Sequence, residues 1–216
     1  MEIGIIGGTG AFGKGLVLRW GARHRVLIGS RDAEKAQTVA NECRTNLDSN
    51  NKDADIAGYT NIEVARQAEV IVLSVKFENL APIIESCRHR LKSKIVISPV
   101  AALEKNSFFR CSTLDHGSAA AYLQDNLPAS KIIAALHTIP AHRLRHWDKE
   151  IGGDVPVCGD DPQAKRAIMD LIIEIKSLKP IDAGPLRAAG LVENIVPLLL
   201  NLKLFGGLKS TSVQFV

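Results

Sequence analysis

The segment Ile3-Gly4-Ile5-Ile6-Gly7-Gly8-Thr9-Gly10-Ala11-Phe12-Gly13 spaces Gly8, Gly10 and Gly13 as G-x-G-x-x-G. Glycines at this spacing permit a tight turn and let a pyrophosphate reach the backbone. A helix starting there offers free N–H groups and partial positive charge. An apolar run from Glu2 to Ile6 precedes the motif and a helical pattern from Phe12 to Trp20 follows it. That strand, turn and helix context separates the motif from a glycine-rich turn that binds nothing.

About 20 residues further on, a second strand would end in Ile28-Gly29-Ser30-Arg31-Asp32, with Lys35 one helical turn after Arg31. A guanidinium, an ammonium and a hydroxyl converging there suit a 2′-phosphate, which presents charge and several acceptors. Asp32 could instead accept from a ribose 2′-hydroxyl, the NAD arrangement. Its position just before a helical pattern gives it a capping duty, so the segment is read as selecting NADP.

Among six histidines, His137 ends an apolar run in Ala134-Ala135-Leu136-His137-Thr138-Ile139-Pro140-Ala141. Ligands of open parallel sheets sit beyond the carboxyl ends of strands, so His137 either meets a ligand or hydrogen-bonds a loop. No serine, histidine and carboxylate set can be assembled, and no catalytic side chain is assigned. Hydride transfer does not require one, because the cofactor carries the chemistry and the protein supplies position and electrostatics. Cys43, Cys87, Cys111 and Cys158 have neither metal-ligand nor redox-motif spacing, so they read as reduced thiols and no metal site is proposed. Ala141 to Lys149 carries two arginines, a lysine and two histidines, as either a solvated loop or an anchor for an anionic ligand.

Short apolar runs alternate with helical patterns to position these residues. Strands are expected at Glu2 to Ile6, His24 to Ile28, Asp55 to Tyr59, Ala68 to Val75, Lys94 to Ser98 and Lys131 to Leu136, and helices at Phe12 to Trp20, Ala33 to Arg44, Asn79 to Leu91 and Gly117 to Asn126. This rhythm gives an α/β fold with a doubly wound parallel sheet, a Rossmann-type NADP-binding domain over residues 1–140. Residues 141–216 follow as a small C-terminal α/β cap domain: a strand at Val155 to Cys158, a helix capped by Asp161 with Pro162 in its first turn, a strand at Lys179 to Asp182 and a final helix from about Pro185 to Phe205.

That last helix is apolar on nearly all sides, so it must be buried within the chain or against a second copy, as a dimer or tetramer. The apolar tail stretch, Ile195 to Leu208, is broken by Pro197, Asn201, Lys203 and two glycines, short of the roughly 20 residues of a membrane span. No signal peptide is read at the N-terminus, and a cytoplasmic location is expected. The 216 residues, 46% hydrophobic and 23% charged, exclude disorder and limit the chain to one sizeable core. The net charge of +4 favours anionic small molecules without arguing for nucleic acid or membrane.

The chain resembles the F420H2:NADP oxidoreductases over essentially its whole length. The resemblance is carried by Gly7-Gly8-Thr9-Gly10, Gly29-Ser30-Arg31, Ala135 to Ala141, Asp154-Val155-Pro156-Val157-Cys158-Gly159-Asp160-Asp161 and Asp182-Ala183-Gly184-Pro185-Leu186. It implies hydride exchange between NADP(H) and the deazaflavin coenzyme F420, with the C-terminal part completing the deazaflavin site. By position it implies that Thr9, Gly10, Ala11 and Phe12 surround the pyrophosphate and that Ser30, Arg31 and Lys35 hold the 2′-phosphate. Phe77 and Leu103 would flank the dinucleotide, with Ala141 near the nicotinamide and His137, Thr138, Ile139 and Pro140 beside the deazaflavin. Ala11 stands where the family has asparagine, and Phe77-Glu78-Asn79 where tryptophan, glutamate and histidine are expected. Two other readings are an NADPH-dependent reductase of a flavin or ferric chelate, because the nucleotide domain also resembles that of membrane ferric reductases, and a non-catalytic NADP-sensing protein.

Overall fold

Valine, isoleucine and leucine fill the central strands because helices cover both faces of the sheet. The structure is a computed structural model that describes residues 1–49 and 53–216. Along the chain it runs β1 (Glu2–Ile6), α1 (Ala11–Trp20), β2 (Arg25–Ser30), α2 (Ala33–Asp48), β3 (Ile56–Thr60), α3 (Asn61–Gln67), β4 (Val70–Leu73), α4 (Leu80–Cys87), β5 (Ile95–Ser98), β6 (Leu103–Lys105), β7 (Phe109–Cys111), α5 (Ala119–Asn126) and β8 (Lys131–Ala134). After these come α6 (Ala141–Leu144), β9 (Gly153–Gly159), α7 (Pro162–Ile173), β10 (Leu178–Asp182), α8 (Ala189–Glu193) and α9 (Ile195–Gly206).

The eight-stranded sheet has the order β10-β9-β8-β5-β4-β1-β2-β3. Its six strands from β3 to β8 are parallel, and the order reverses between β1 and β4, where a crevice opens at the carboxyl ends. β9 pairs antiparallel to β8 through Ala134 and Cys158, and β10 runs parallel to β9. Residues after Pro140 thus extend the same sheet at one edge. As predicted, Asp161 caps α7, its carboxylate accepting from the Ala164 amide at 2.7 Å, and Pro162 sits in the first turn.

Three features depart from the sequence pattern. α3 was unforeseen although Thr60 and Glu63 form a complete capping box at its start. The hairpin β6–β7 interrupts the crossover before α5. The single final helix is broken at Asn194, because Pro197 lacks an N–H and crowds the carbonyl four residues before it, that of Glu193. That freed carbonyl accepts from the Cys111 thiol.

The helical stretch Leu186–Gly206 spans 21 residues and holds an 18-residue window of mean hydropathy 1.4, enough by length and composition to cross a bilayer, so it is longer than the stretch counted from Ile195. Polar contacts tie it to the body of the protein. The Glu193 carboxylate accepts from the Ala119 and Ala120 amides at 2.8 and 3.0 Å, and the Asn201 amide both accepts from and donates to the Phe109 backbone.

Candidate functional site

The turn after β1 is closed to every residue but glycine at two places. Gly7 has φ +70°, and a Cβ there would collide with Val75; a Cβ on Gly8 would lie 2.7 Å from the Ile5 carbonyl oxygen. Asn61, at the start of α3, accepts from the Gly7 amide at 3.2 Å and so steadies the turn from outside the motif. Gly13 lets α1 lie against Gly8, since a Cβ would meet the Gly8 Cα at 2.6 Å. Gly10 is the N-cap of α1, no side chain among the described residues caps that helix, and its first turn has no acidic residue. Its amides and dipole therefore face the crevice, a cradle that fits a pyrophosphate.

At the end of β2, Ser30 is buried and its hydroxyl accepts from the Asp32 amide at 3.2 Å. Asp32 is the N-cap of α2, its carboxylate accepting from the Lys35 amide at 3.1 Å. The side chains of Arg31 and Lys35 are exposed and form no ion pair among the described residues. Two uncommitted cations beside a carboxylate occupied in capping suit a 2′-phosphate better than a bare 2′-hydroxyl.

A cavity of about 460 Å³ opens beside this cradle. Ala11, the first residue of α1, lines it together with His137, Thr138, Ile139, Pro140 and Ala141 beyond β8. Leu136 takes a left-handed φ of 70°, which turns the chain sharply just before His137. The His137 Nε2 lies 3.2 Å from the Val100 carbonyl oxygen, so Nε2 carries the proton. Burial pushes the imidazole down to about 4, and it stays neutral at physiological pH. Its Nδ1 is then a buried acceptor with no partner among the described residues, fit for a ligand N–H or O–H. The Thr138 hydroxyl donates to the Asp154 carbonyl at 3.0 Å.

The other predicted site residues lie outside this wall. Thr9, Gly10 and Phe12 belong to the cradle, and Ser30, Arg31 and Lys35 lie beyond it at the end of β2. Phe77 follows β4 and meets the Tyr122 ring at a centroid distance of 5.5 Å. Leu103 is in the β6–β7 hairpin, 41% exposed.

His142 of α6, part of the cationic segment singled out in the sequence, joins the wall, and several other wall residues were not foreseen: Val196, Leu199, Leu200 and Lys203 of α9, and Lys209, Ser210 and Thr211 of the C-terminal tail. Arg145 lines the cavity and Arg143 does not. Burial, then Lys203, Arg143 and Arg145, push the His142 imidazole below its ordinary value, so the rim is electropositive. Apolarity marked α9 for burial, but no local signal tells which wall it forms. Asn61 was discoverable from the capping box around it.

Strand order, glycine turn and strand-end cavity together define a dinucleotide-binding protein of the doubly wound α/β class. The family described as NADP oxidoreductase, coenzyme F420-dependent, matches residues 2–102. The chain is 34% identical over 217 residues to the F420-dependent NADP reductase of Methanocaldococcus jannaschii, covering 99% of this chain and 97% of that one. It is 32% identical over 222 residues to the enzyme of the same name from Methanothermobacter marburgensis, again covering 99% and 97%. A solved structure from Arthrobacter sp. FB24, described as a candidate F420-dependent NADP reductase, shares the fold with a TM-score of 0.82 at 21% identity, over 100% of this chain and 99% of its own. The chain belongs to the family of F420-dependent NADP reductases.

Proposed function

We propose that this chain catalyses hydride transfer between NADP(H) and coenzyme F420. The observation that carries the reading is Ala11: it begins the helix whose amides face the pyrophosphate cradle, and it also lines the cavity bounded by His137 to Ala141. A dinucleotide lying along the cradle would deliver its reactive end to that cavity. Bound NADP(H) and F420 supply the hydride and the ring that accepts it.

The chain's own residues bind, orient and exclude water. Thr9 to Phe12 hold the pyrophosphate, Ser30, Arg31 and Lys35 the 2′-phosphate, and Phe77 and Leu103 flank the dinucleotide. Ala141 lies by the nicotinamide and His137 to Pro140 by the deazaflavin, where neutral His137 offers Nδ1 as an acceptor. Leu199 and Leu200 provide an apolar wall. Rate enhancement then comes from alignment and solvent exclusion rather than acid or base catalysis. Residues 1–140 serve the dinucleotide and 141–216 complete the deazaflavin site, a division of labour across one sheet.

The enzyme is a soluble cytoplasmic homo-oligomer, a dimer or tetramer. Leu191, Leu198 and Phe205 are 77%, 56% and 70% exposed, an apolar face that a second copy would cover. Light scattering should return at least twice the monomer mass at micromolar concentration; a monomer would refute this.

Absorbance tests the reaction. With NADPH and oxidised F420 under anaerobic conditions, the deazaflavin band should bleach, while flavin mononucleotide and ferric chelates should turn over far more slowly. NADPH binding without bleaching of any acceptor would identify a sensor instead.

A further inference from the structure

Arg19 lies on the last turns of α1 and is only 8% exposed. It makes no ion pair among the described residues. Its guanidinium donates instead to four backbone carbonyls: Nε to Leu144 at 3.0 Å, Nη1 to Lys149 at 2.8 Å, and Nη2 to Arg143 at 3.1 Å and His146 at 2.6 Å. Burial lowers the affinity of the guanidinium for its proton, but an arginine in a protein stays charged.

The four carbonyls belong to the end of α6 and the turn after it. α6 has only four residues and cannot stand on its own hydrogen bonds; its last carbonyls would otherwise lack partners. Its opposite end, at Ala141 and His142, and Arg145 just beyond it line the cavity. One turn before Arg19, Gly15 lets α1 approach α6 so closely that a Cβ there would collide with Leu144. Next to Arg19, the Trp20 indole donates to the Leu171 carbonyl at 3.2 Å and fixes α1 against α7. α1 therefore lines the cavity at its first residue and, about 12 Å along its axis, grips the segment that forms the cavity's other wall.

We propose that Arg19 is a positioning residue that locks the α6 wall of the cavity to the dinucleotide-binding helix, and thereby sets the register between the two bound rings. A planar fork with five N–H groups serves four carbonyls at once, which a lysine ammonium cannot do. The inference rests on the hydride-transfer reading of the cavity.

Four variants, one of them carrying a chemical rescue, test it. Arg19→Met should raise the Michaelis constant for F420 about tenfold and lower kcat, with the NADPH dissociation constant within twofold of wild type. Amides of residues 142–149 should exchange with deuterium faster, while those of α7 do not. Millimolar guanidinium added to Arg19→Ala should restore part of the F420 affinity. Should the methionine variant fail to fold, Arg19→Lys keeps charge and reach and should show the same signature more weakly. Gly15→Ala, which pushes Leu144 away without touching Arg19, should reproduce it.

Equal losses for NADPH and F420 in step with the melting temperature, and no rescue, would reduce Arg19 to a fold staple and overturn the proposal; so would an unchanged F420 constant. A wild-type protein that never bleaches F420 defeats the functional reading instead. Unchanged exchange at 142–149 would then still refute the lock.

Discussion

Arg31 makes the sharpest single-residue prediction because its side chain is exposed and its charge is uncommitted. A charge-assisted hydrogen bond contributes about 1.5 to 3 kcal/mol, so Arg31→Ala should weaken NADPH by about one to two orders of magnitude. NADH, which lacks the 2′-phosphate, should bind nearly as before. Titration by fluorescence checks both, and an equal loss would displace Arg31 from the phosphate. The strand end, its cap and its exposed cations were legible in the sequence because they fall within six positions, and Asp32 does cap α2. The Nδ1 of His137, without a partner among the described residues, was not legible, since it depends on Val100 reaching Nε2 from another strand end.

At the scale of elements, the joint between α5 and α8 makes stability depend on pH. Burial pushes Glu193 up to about 7, against the two amides that favour its charged form. A raised carboxyl stabilises the fold below its unfolded pKa, roughly 4.3, and this contribution is lost as pH rises through 7. Its full size is on the order of 3 kcal/mol. His137, held down at about 4 by burial, has the opposite sign: its contribution is present above roughly 6.5 and lost as pH falls toward 4. The Glu193 and His137 slopes oppose each other between about pH 4.5 and 6.5, where His142, also held down, adds to the His137 side, and the Glu193 slope dominates above that.

Wild type should therefore lose stability between pH 6.5 and 7.5, whereas Glu193→Gln should be flat there and should gain stability as pH rises from 4.5 to 6.5. Urea melts across pH would show it, and parallel profiles for the two proteins would contradict it. None of this could be read from the sequence, because Glu193 looks like one polar residue in an apolar helix. The parallel strands were legible because burial on both faces leaves continuous apolar runs. The β6–β7 hairpin is short and half exposed, so it leaves no such run.

The whole molecule builds the cavity rim from segments far apart in sequence: Arg145 beyond α6, Lys203 in α9 and Lys209 in the tail. Among these, Arg145 stood out in the sequence, as part of a cluster of cations within nine residues. Lys203 and Lys209 gave no signal because β9, α7, β10 and α8 intervene before the chain returns. The tail is held over the cavity by Asp154: its amide donates to the Val213 carbonyl at 2.7 Å and its carboxylate accepts from the Phe215 amide at 2.5 Å.

Three exposed cations around one opening give an anionic ligand tail a diffuse attraction, strong only while salt is low, because screening sets in beyond about 8 Å at physiological ionic strength. The F420 Michaelis constant of wild type should rise with added salt. Replacing Arg145, Lys203 and Lys209 together by alanine should raise that constant several-fold at low salt and flatten its salt dependence, with the NADPH constant unchanged. Arg143→Ala alone should move the F420 constant little, since its guanidinium turns toward the Glu150 carbonyl rather than the opening. Coincident salt curves for wild type and the triple variant would return all three cations to the solvent.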